Sequence, residues 1–300
     1  MAAGSTARDG GNPFAAMDAE TLTRSFADRV REAITRDELR LAYQPQADTE
    51  TGRLAGFEAL ARWRLSDGTV IPPDVFIPMA ESNAAIHVLG EWALRRACET
   101  AAGWMRDGTA DVPVAVNLSP RQLDVPGFAR TVLGVLAETG LPADRLKLEL
   151  TETAAYDHSA EARETLTQLR GAGVRLVLDD FGTGYSSLAL LRRVPLEALK
   201  IDKIFVKDMV ENRDAAAIVQ AVIGLAHALG LQVIAEGVET PEQRSFLRAY
   251  RCDRIQGYLL SPALPPEEVP GFLSRTFSAL GNAPGGASIS APGGVPPTGG

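Results

Sequence analysis

Cysteine is scarce: Cys98 and Cys252 are the only two in 300 residues, and neither stands in a CxxC or Cys/His spacing. That excludes a disulfide scaffold or a cysteine-held structural metal. Both read as small buried hydrophobes, compatible with a reducing cytosol. The three histidines, His87, His158 and His227, lack ligand spacing such as HExxH and read as structural or exposed. There is no Lys/Arg run, and the formal net charge is -8, which argues against a protein that wraps polymeric nucleic acid. A small anionic substrate stays compatible, because bound divalent cations invert the local field. No apolar stretch is long enough for membrane insertion, and MAAGSTARDGGNPFAAMDAE lacks the unbroken apolar core of a signal peptide. The expected location is cytoplasmic.

What is present is ordinary in amount and ordered in pattern. Apolar residues make up 45% and charged residues 23%, enough for a large core without staples. Residues 1–15 are expected to be a disordered lead, 280–300 a disordered Gly/Pro-rich tail, and 16–279 one continuous domain, since no linker-like composition interrupts it. Leu22, Phe26, Val30 and Ile34 have helical spacing over roughly 19–36. ELRLAYQPQAD and RLAGFEALARW read as two strands joined by the short turn ETG, a hairpin and therefore an antiparallel pair. Helices are expected in PPDVFIPMAES and in VLGEWALRRACETAAGWMRDG, the latter ended by Gly108. Strands at 112–118, 145–150, 175–180, 198–205, 231–236 and 254–259 then alternate with helices near 127–139, 160–171, from Ser186, 214–229 and 241–250. This rhythm gives an α/β fold, a TIM-like (β/α)8 barrel with one antiparallel strand at the start.

Polar side chains close these strands again and again. Glu58, Asn117, Glu149, Asp179, Asp180, Lys200, Asp202, Glu236 and Gln256 all stand in or just after apolar runs. A barrel gathers such ends on one face, where several carboxylates, one Asn and one Lys form a hard-cation site beside a fixed positive charge. Taken singly, each acid is more often a solvated strand end or helix N-cap than a ligand. Lys200 alone would be an ion-paired lysine, GTG a tight turn, and Met79, Met105 and Trp104 packing residues. Their shared placement is what lowers the joint weight of these plain readings.

Eight motifs occur in one order: YQP at 43–45, EALARW at 58–63, NLS at 117–119, ELTET at 149–153, DDFGTGYSSL at 179–188, LKID at 199–202, AEGVET at 235–240 and QGY at 256–258. Together they resemble the EAL-domain phosphodiesterases, the bacterial class that cleaves cyclic di-GMP, from about residue 38 to about 265. The resemblance implies metal-dependent opening of cyclic di-GMP to linear pGpG, two divalent cations (Mg²⁺ or Mn²⁺) and a homodimer. Glu58, Asn117, Glu149, Asp179, Asp180 and Glu236 would be the oxygen ligands. Two such cations about 3.5–4 Å apart would clamp a phosphodiester and activate a water. Lys200 would orient that water and stabilise the transition state, Glu236 would act as ligand or general base, and Gln256 would hold the water or the substrate. Gln44, Leu60, Arg62, Asp180, Phe181 and Gly182 match substrate-binding positions, Arg62 offering its guanidinium fork to a phosphate. Glu152 would anchor the loop FGTGYSS, and Asp202 and Glu239 would fix Lys200 and the loops around it.

Three positions depart from the usual pattern: Leu260 and Pro262 after QGY, and Arg251 before Cys252-Asp253. A catalytically inactive cyclic di-GMP receptor is the alternative function, but such members normally lose metal ligands and the set here is complete. A barrel lyase using Lys200 as a Schiff-base nucleophile is a third reading. The surrounding carboxylates count against it, because they would hold the lysine protonated.

Overall fold

The computed structural model describes residues 19–151, 160–182 and 194–277. The expected disordered lead and tail, His158, Glu152 and the helix expected from Ser186 lie outside these residues. The chain divides into two compact units, Met1–Arg40 with Arg62–Leu89, and Leu41–Ala61 with Gly90–Gly300.

The first unit is organised around Trp63, which is 0% exposed. Phe26, from the helix Ala19–Thr35, lies 5.9 Å from its ring, and Phe76, from the helix Pro73–Ser82, lies 5.6 Å away. The Arg29 guanidinium stands 5.6 Å over the Trp63 ring and pairs with the buried Glu38 carboxylate. Glu38 also accepts from Trp63 Nε1 at 3.4 Å, so this buried charge has both an ionic and a neutral partner. The tryptophan of EALARW is thus a packing anchor.

The second unit is the barrel. Its strands are β1 (Leu39–Asp48), β2 (Leu54–Arg64), β4 (Val114–Leu118), β5 (Leu146–Thr151), β6 (Arg175–Phe181), β7 (Ala198–Ile201), β8 (Gln232–Ala235) and β9 (Arg254–Gln256). The two-residue β3 (Val70–Ile71) pairs antiparallel with the end of β2 in the first unit. The order β1-β9-β8-β7-β6-β5-β4-β2, with β1 also pairing to β2, closes eight strands into a barrel. Neighbours from β2 through β9 run parallel, whereas β1 runs antiparallel to β9 with Gln46 opposite Gln256. The expected opening hairpin is therefore part of the barrel wall.

Alternation along each strand sorts its residues between two environments. Leu148, Leu150, Leu176, Leu178, Leu199, Ile201 and Val233 share one apolar cluster with Val132, Val135, Leu166, Leu169, Val219, Ile223 and Leu247 from the surrounding helices. Residues of the other parity face the barrel interior. There Val177, Ala198 and Ile234 form a small apolar layer of their own. Glu149, Asp179, Lys200, Glu236 and Gln256 follow toward the C-terminal strand ends, while Lys147, Arg175, Gln232 and Arg254 precede toward the N-terminal ends.

Two expected strands stop three or more residues before the ends placed for them. The strand placed at 198–205 stops at Ile201, because the Asp202 carboxylate accepts from Ile204 N at 2.7 Å and caps the helix Lys203–Asp208. The strand placed at 254–259 stops at Gln256. Cys98 and Cys252 are both buried, and Trp104 packs against Tyr43 and Phe57 at 4.8 and 5.1 Å, as packing residues should.

Candidate active site

Lys200 stands at the centre of the C-terminal end of the barrel, 1% exposed. Its Nζ lies 2.7 Å from Glu149 Oε2, 2.7 Å from Glu236 Oε1, 3.1 Å from Asp179 Oδ1 and 3.3 Å from Glu58 Oε2. These carboxylates come from β2, β5, β6 and the end of β8, so the barrel brings together residues that are far apart in the chain. Further hydrogen bonds orient the Glu58 carboxylate. Asn117 Nδ2 donates to its Oε1 at 2.8 Å, and Gln256 Nε2 donates to its Oε2 at 2.6 Å. Gln256 is held in turn by Gln46 Nε2, which donates to its Oε1 at 2.8 Å, and it donates to Gln44 Oε1 at 3.0 Å.

Asp179 and Asp180 are adjacent, and strict alternation would point them to opposite faces of β6. The pairing of β6 with β7 shifts register between Leu178 and Phe181, the signature of a bulge. Asp180 takes φ 54°, a left-handed conformation unusual outside glycine, and its N–H donates to Asp179 Oδ1 at 2.9 Å. With alternation broken, one oxygen each from Asp179, Asp180 and Glu236 lies within 4.8 Å of the others. Gly182 follows with φ 101°, and a Cβ there would meet Phe205 Cε2 at 2.9 Å.

The motifs EGV and QGY meet through one glycine. Val238 N donates to Gln256 O and Val238 O accepts from Leu259 N, both at 3.0 Å, so the Val238 backbone lies directly across Gly257. A Cβ on Gly257 would stand 2.2 Å from Val238 O. Only glycine allows this approach, which ties the end of β9 to the segment just after Glu236.

Electrostatics follow from burial opposed by neighbouring charge. Burial pushes Glu236 up to about 8, with Lys200 opposing and Asp179 and Glu58 adding to the rise. Burial, then the Asp179 charge, push Asp180 up to about 6. Glu149 is raised well above the usual range by burial, only partly offset by Lys200. Glu58 is lowered, because Lys200, Gln256 and Asn117 outweigh its burial. Lys200 is raised well above the ordinary lysine value, since four carboxylates overcome its own desolvation. An ammonium held this way is no Schiff-base nucleophile.

The cluster opens into a cavity of about 390 Å³ lined by Gln44, Glu58, Leu60, Asn117, Asp179 and Lys200, and by the segments around Glu236 and Gln256. The donor set fits hard divalent cations. It consists of oxygen atoms, and Glu149 Oε1 is buried without any hydrogen-bond partner, an acceptor left for a cation. A model matching the EAL domain covers residues 27–263. The chain belongs to the EAL family. Relatives of this EAL domain include an uncharacterized signaling protein of Caulobacter vibrioides, 46% identical over 81% of this chain and 29% of its own length. Another is the cyclic di-GMP phosphodiesterase NbdA of Pseudomonas aeruginosa, 42% identical over 84% of this chain and 32% of its own length. The chain thus spans about a third of the length of these curated relatives. Among solved structures, the PaMucR phosphodiesterase in its c-di-GMP complex matches with a TM-score of 0.77 and 39% identity, over 82% of this chain and 99% of that one.

Other expected site residues of the EAL domain are placed unevenly. Gln44 and Leu60 line the cavity, and Phe181 is buried beside Gly182 at the end of β6. Arg62 lies in the smaller unit. Asp202 caps its helix and faces Asp180 at the end of β6. Glu239 lines the cavity, its N–H held by Gln243 Oε1 at 2.7 Å. Residues 183–187 of FGTGYSS lie, like Glu152, outside the described residues. Reading the sequence missed Lys203, Gly237, Gly257 and Tyr258 as lining residues. Lys203 had a visible signal, a second lysine in LKIDK, that a strand reading of 198–205 concealed. Leu260 is half-buried against the core and Pro262 is exposed, so neither departure falls in the carboxylate cluster.

Proposed function

We propose that this EAL domain hydrolyses cyclic di-GMP to linear pGpG with divalent cations, Mg²⁺ or Mn²⁺. The observation that carries the reading is the Lys200 cluster: one buried ammonium among four carboxylates, with the Glu149 Oε1 acceptor unpartnered, opening into the cavity. The names of NbdA and PaMucR support the substrate.

Glu58, Asn117, Glu149, Asp179, Asp180 and Glu236 would hold the cations, which supply Lewis-acid stabilisation of a phosphodiester when bound. Lys200 keeps a fixed positive charge where charge develops on the non-bridging oxygens, and it fixes the direction of each carboxylate it touches. Glu236 would serve as a cation ligand or as the general base toward an attacking water. Gln256 and Asn117 set the Glu58 carboxylate so that it need not reorganise. Gln44, Leu60, Arg62, Asp180, Phe181 and Gly182 remain the proposed contacts to the dinucleotide, with Glu152 as loop anchor. A homodimer and a cytoplasmic location belong to the same reading, supported by the family resemblance.

The test is hydrolysis of cyclic di-GMP by the purified chain with Mg²⁺, with Mn²⁺ and with EDTA, products separated by chromatography. Appearance of pGpG only with cation is the expected result. Tight binding without product would replace the enzyme by a receptor, and neither binding nor turnover would remove cyclic di-GMP as ligand.

A further inference from the structure

The opposite end of the barrel interior carries a second polar group that the proposed reaction does not use. Lys147 on β5 sits two residues before Glu149, Arg175 on β6 two before Val177, Gln232 on β8 two before Ile234, and Arg254 on β9 two before Gln256. By alternation all four point inward, below the layer of Val177, Ala198 and Ile234. Lys147 is 1% exposed, and its Nζ has no hydrogen-bond partner. Arg254 Nη1 is likewise buried and unpartnered, as is Gln232 Oε1. Burial, reinforced by the Arg254 charge, pushes Lys147 down to about 7, and an acceptor supplied at its Nζ would hold the charged form.

The nearby carboxylates are engaged elsewhere. Glu197 lies 3.3 Å from Arg175 Nη1, and Asp144 lies 2.9 Å from Arg145 and 3.9 Å from Arg175. Asp48, opposite Arg254 in the β1–β9 register, accepts from Thr51 N and Oγ1 at 2.6 and 2.7 Å. Asp253 accepts from Val233 N at 2.8 Å and pairs with His227 at 2.9 Å. Glu149 gives its Oε2 to Lys200 at 2.7 Å, and its Oε1 has no hydrogen-bond partner. Lys147 and Arg254 therefore present two donors to the barrel floor, with Arg175 beside them, and among the described residues neither forms an ion pair with a carboxylate. Gln232 can turn its amide so that the NH₂ replaces the unpartnered oxygen.

We propose that this N-terminal end of the barrel binds a small tetrahedral oxyanion, phosphate or sulfate, between Lys147 and Arg254. The ammonium and the guanidinium would each donate charge-assisted hydrogen bonds, and the oxyanion would supply the acceptors both now lack. On β6, β7 and β8 the layer of Val177, Ala198 and Ile234 lies between this site and the carboxylate cluster, so the oxyanion and cyclic di-GMP would be held by different residues.

Binding is measured by calorimetry and thermal unfolding of the chain in EDTA, titrated with sodium phosphate at constant ionic strength against sodium chloride. EDTA keeps the carboxylate cluster free of cations that would capture phosphate. The expected result is saturable binding of one phosphate and a higher Tm, with affinity weakened at least about tenfold in Lys147→Met and in Arg254→Met, the loss expected for a hydrogen bond to a charged group. If Lys147→Met fails to fold, Arg254→Met, altered at a less buried position, gives the answer alone. No saturable binding, equal stabilisation by chloride, or wild-type affinity in Arg254→Met would overturn the proposal.

Discussion

Gln256 donates to Glu58 at 2.6 Å although the two stand 198 residues apart. In the sheet β1 separates their strands, so this bond crosses the barrel interior instead of following a ladder. The amide is gripped on both sides, by Gln46 on its oxygen and by Gln44 with Glu58 on its nitrogen. Its freedom, and that of Glu58, is removed before any ligand arrives.

Replacing Gln256 by Leu keeps the volume and deletes all these hydrogen bonds. The expected outcome is a loss of about 10–100-fold in Mn²⁺ affinity, typical when a partner that orients a ligand is removed. Free Mn²⁺ followed by electron paramagnetic resonance reads this directly. An unchanged affinity would remove the orienting role.

Lys200→Met should act twice. Turnover should fall by about 10²–10³, as for loss of a fixed charge-stabilising donor, while cyclic di-GMP affinity measured with Ca²⁺ changes little. In EDTA the same variant should unfold more easily by about 3–5 kcal/mol, because buried carboxylates lose their counter-charge. Mn²⁺ should restore part of that stability, measured by urea unfolding with and without metal. Equal kcat in variant and parent would end the proposed role.

Stability without metal should fall as pH rises from about 5 to 8. The folded chain keeps a proton on Glu236 up to about 8, and on Asp180 up to about 6, that the unfolded chain has already released. The unfolded state therefore binds fewer protons across this window, and raising the pH favours it. Glu58 is shifted the other way, but its contribution changes only below the ordinary carboxylate range. Lys147, pushed down to about 7 by burial, softens the decline only above about 7. Thermal unfolding in EDTA across this pH range should show the decline, and Glu236→Gln should flatten its upper half. Adding Mn²⁺ near pH 7 should release protons, detectable by calorimetry in buffers of different ionisation enthalpy.

Gly257→Ala should destabilise the chain by about 1–3 kcal/mol or more, since its methyl would overlap a backbone oxygen that cannot turn aside. Turnover should fall as well, because Gln256 and the segment after Glu236 move with the strand end. Chemical denaturation together with the hydrolysis assay separates the two effects. Wild-type stability would show that Val238 shifts freely.

The barrel was legible from strand–helix alternation, and the hairpin from the short turn ETG between two apolar runs. The Lys200 cluster was legible as a set because Glu58, Glu149, Asp179 and Glu236 all end apolar strands. What escaped depends on geometry that pattern does not carry. Asp202 looks like a strand residue until its carboxylate is seen capping a helix. Gln46 follows Gln44 by one strand period, yet nothing local says that it grips Gln256. Gly257 reads as a turn residue, whereas its purpose is room for Val238. Lys147 and Arg254 carry no local signal, since nothing in their strands says that their side chains end buried and unpartnered.

The ammonium at the centre of the cluster has a consequence for how the molecule is made. Many metalloproteins gather like charges that repel until the ion arrives, so their folding waits on metal supply. Here the chain carries its own resident cation, covalently attached, to which four carboxylates are already bound. Folding would then not have to wait on cations, and their loading would be a late event acting on a finished scaffold.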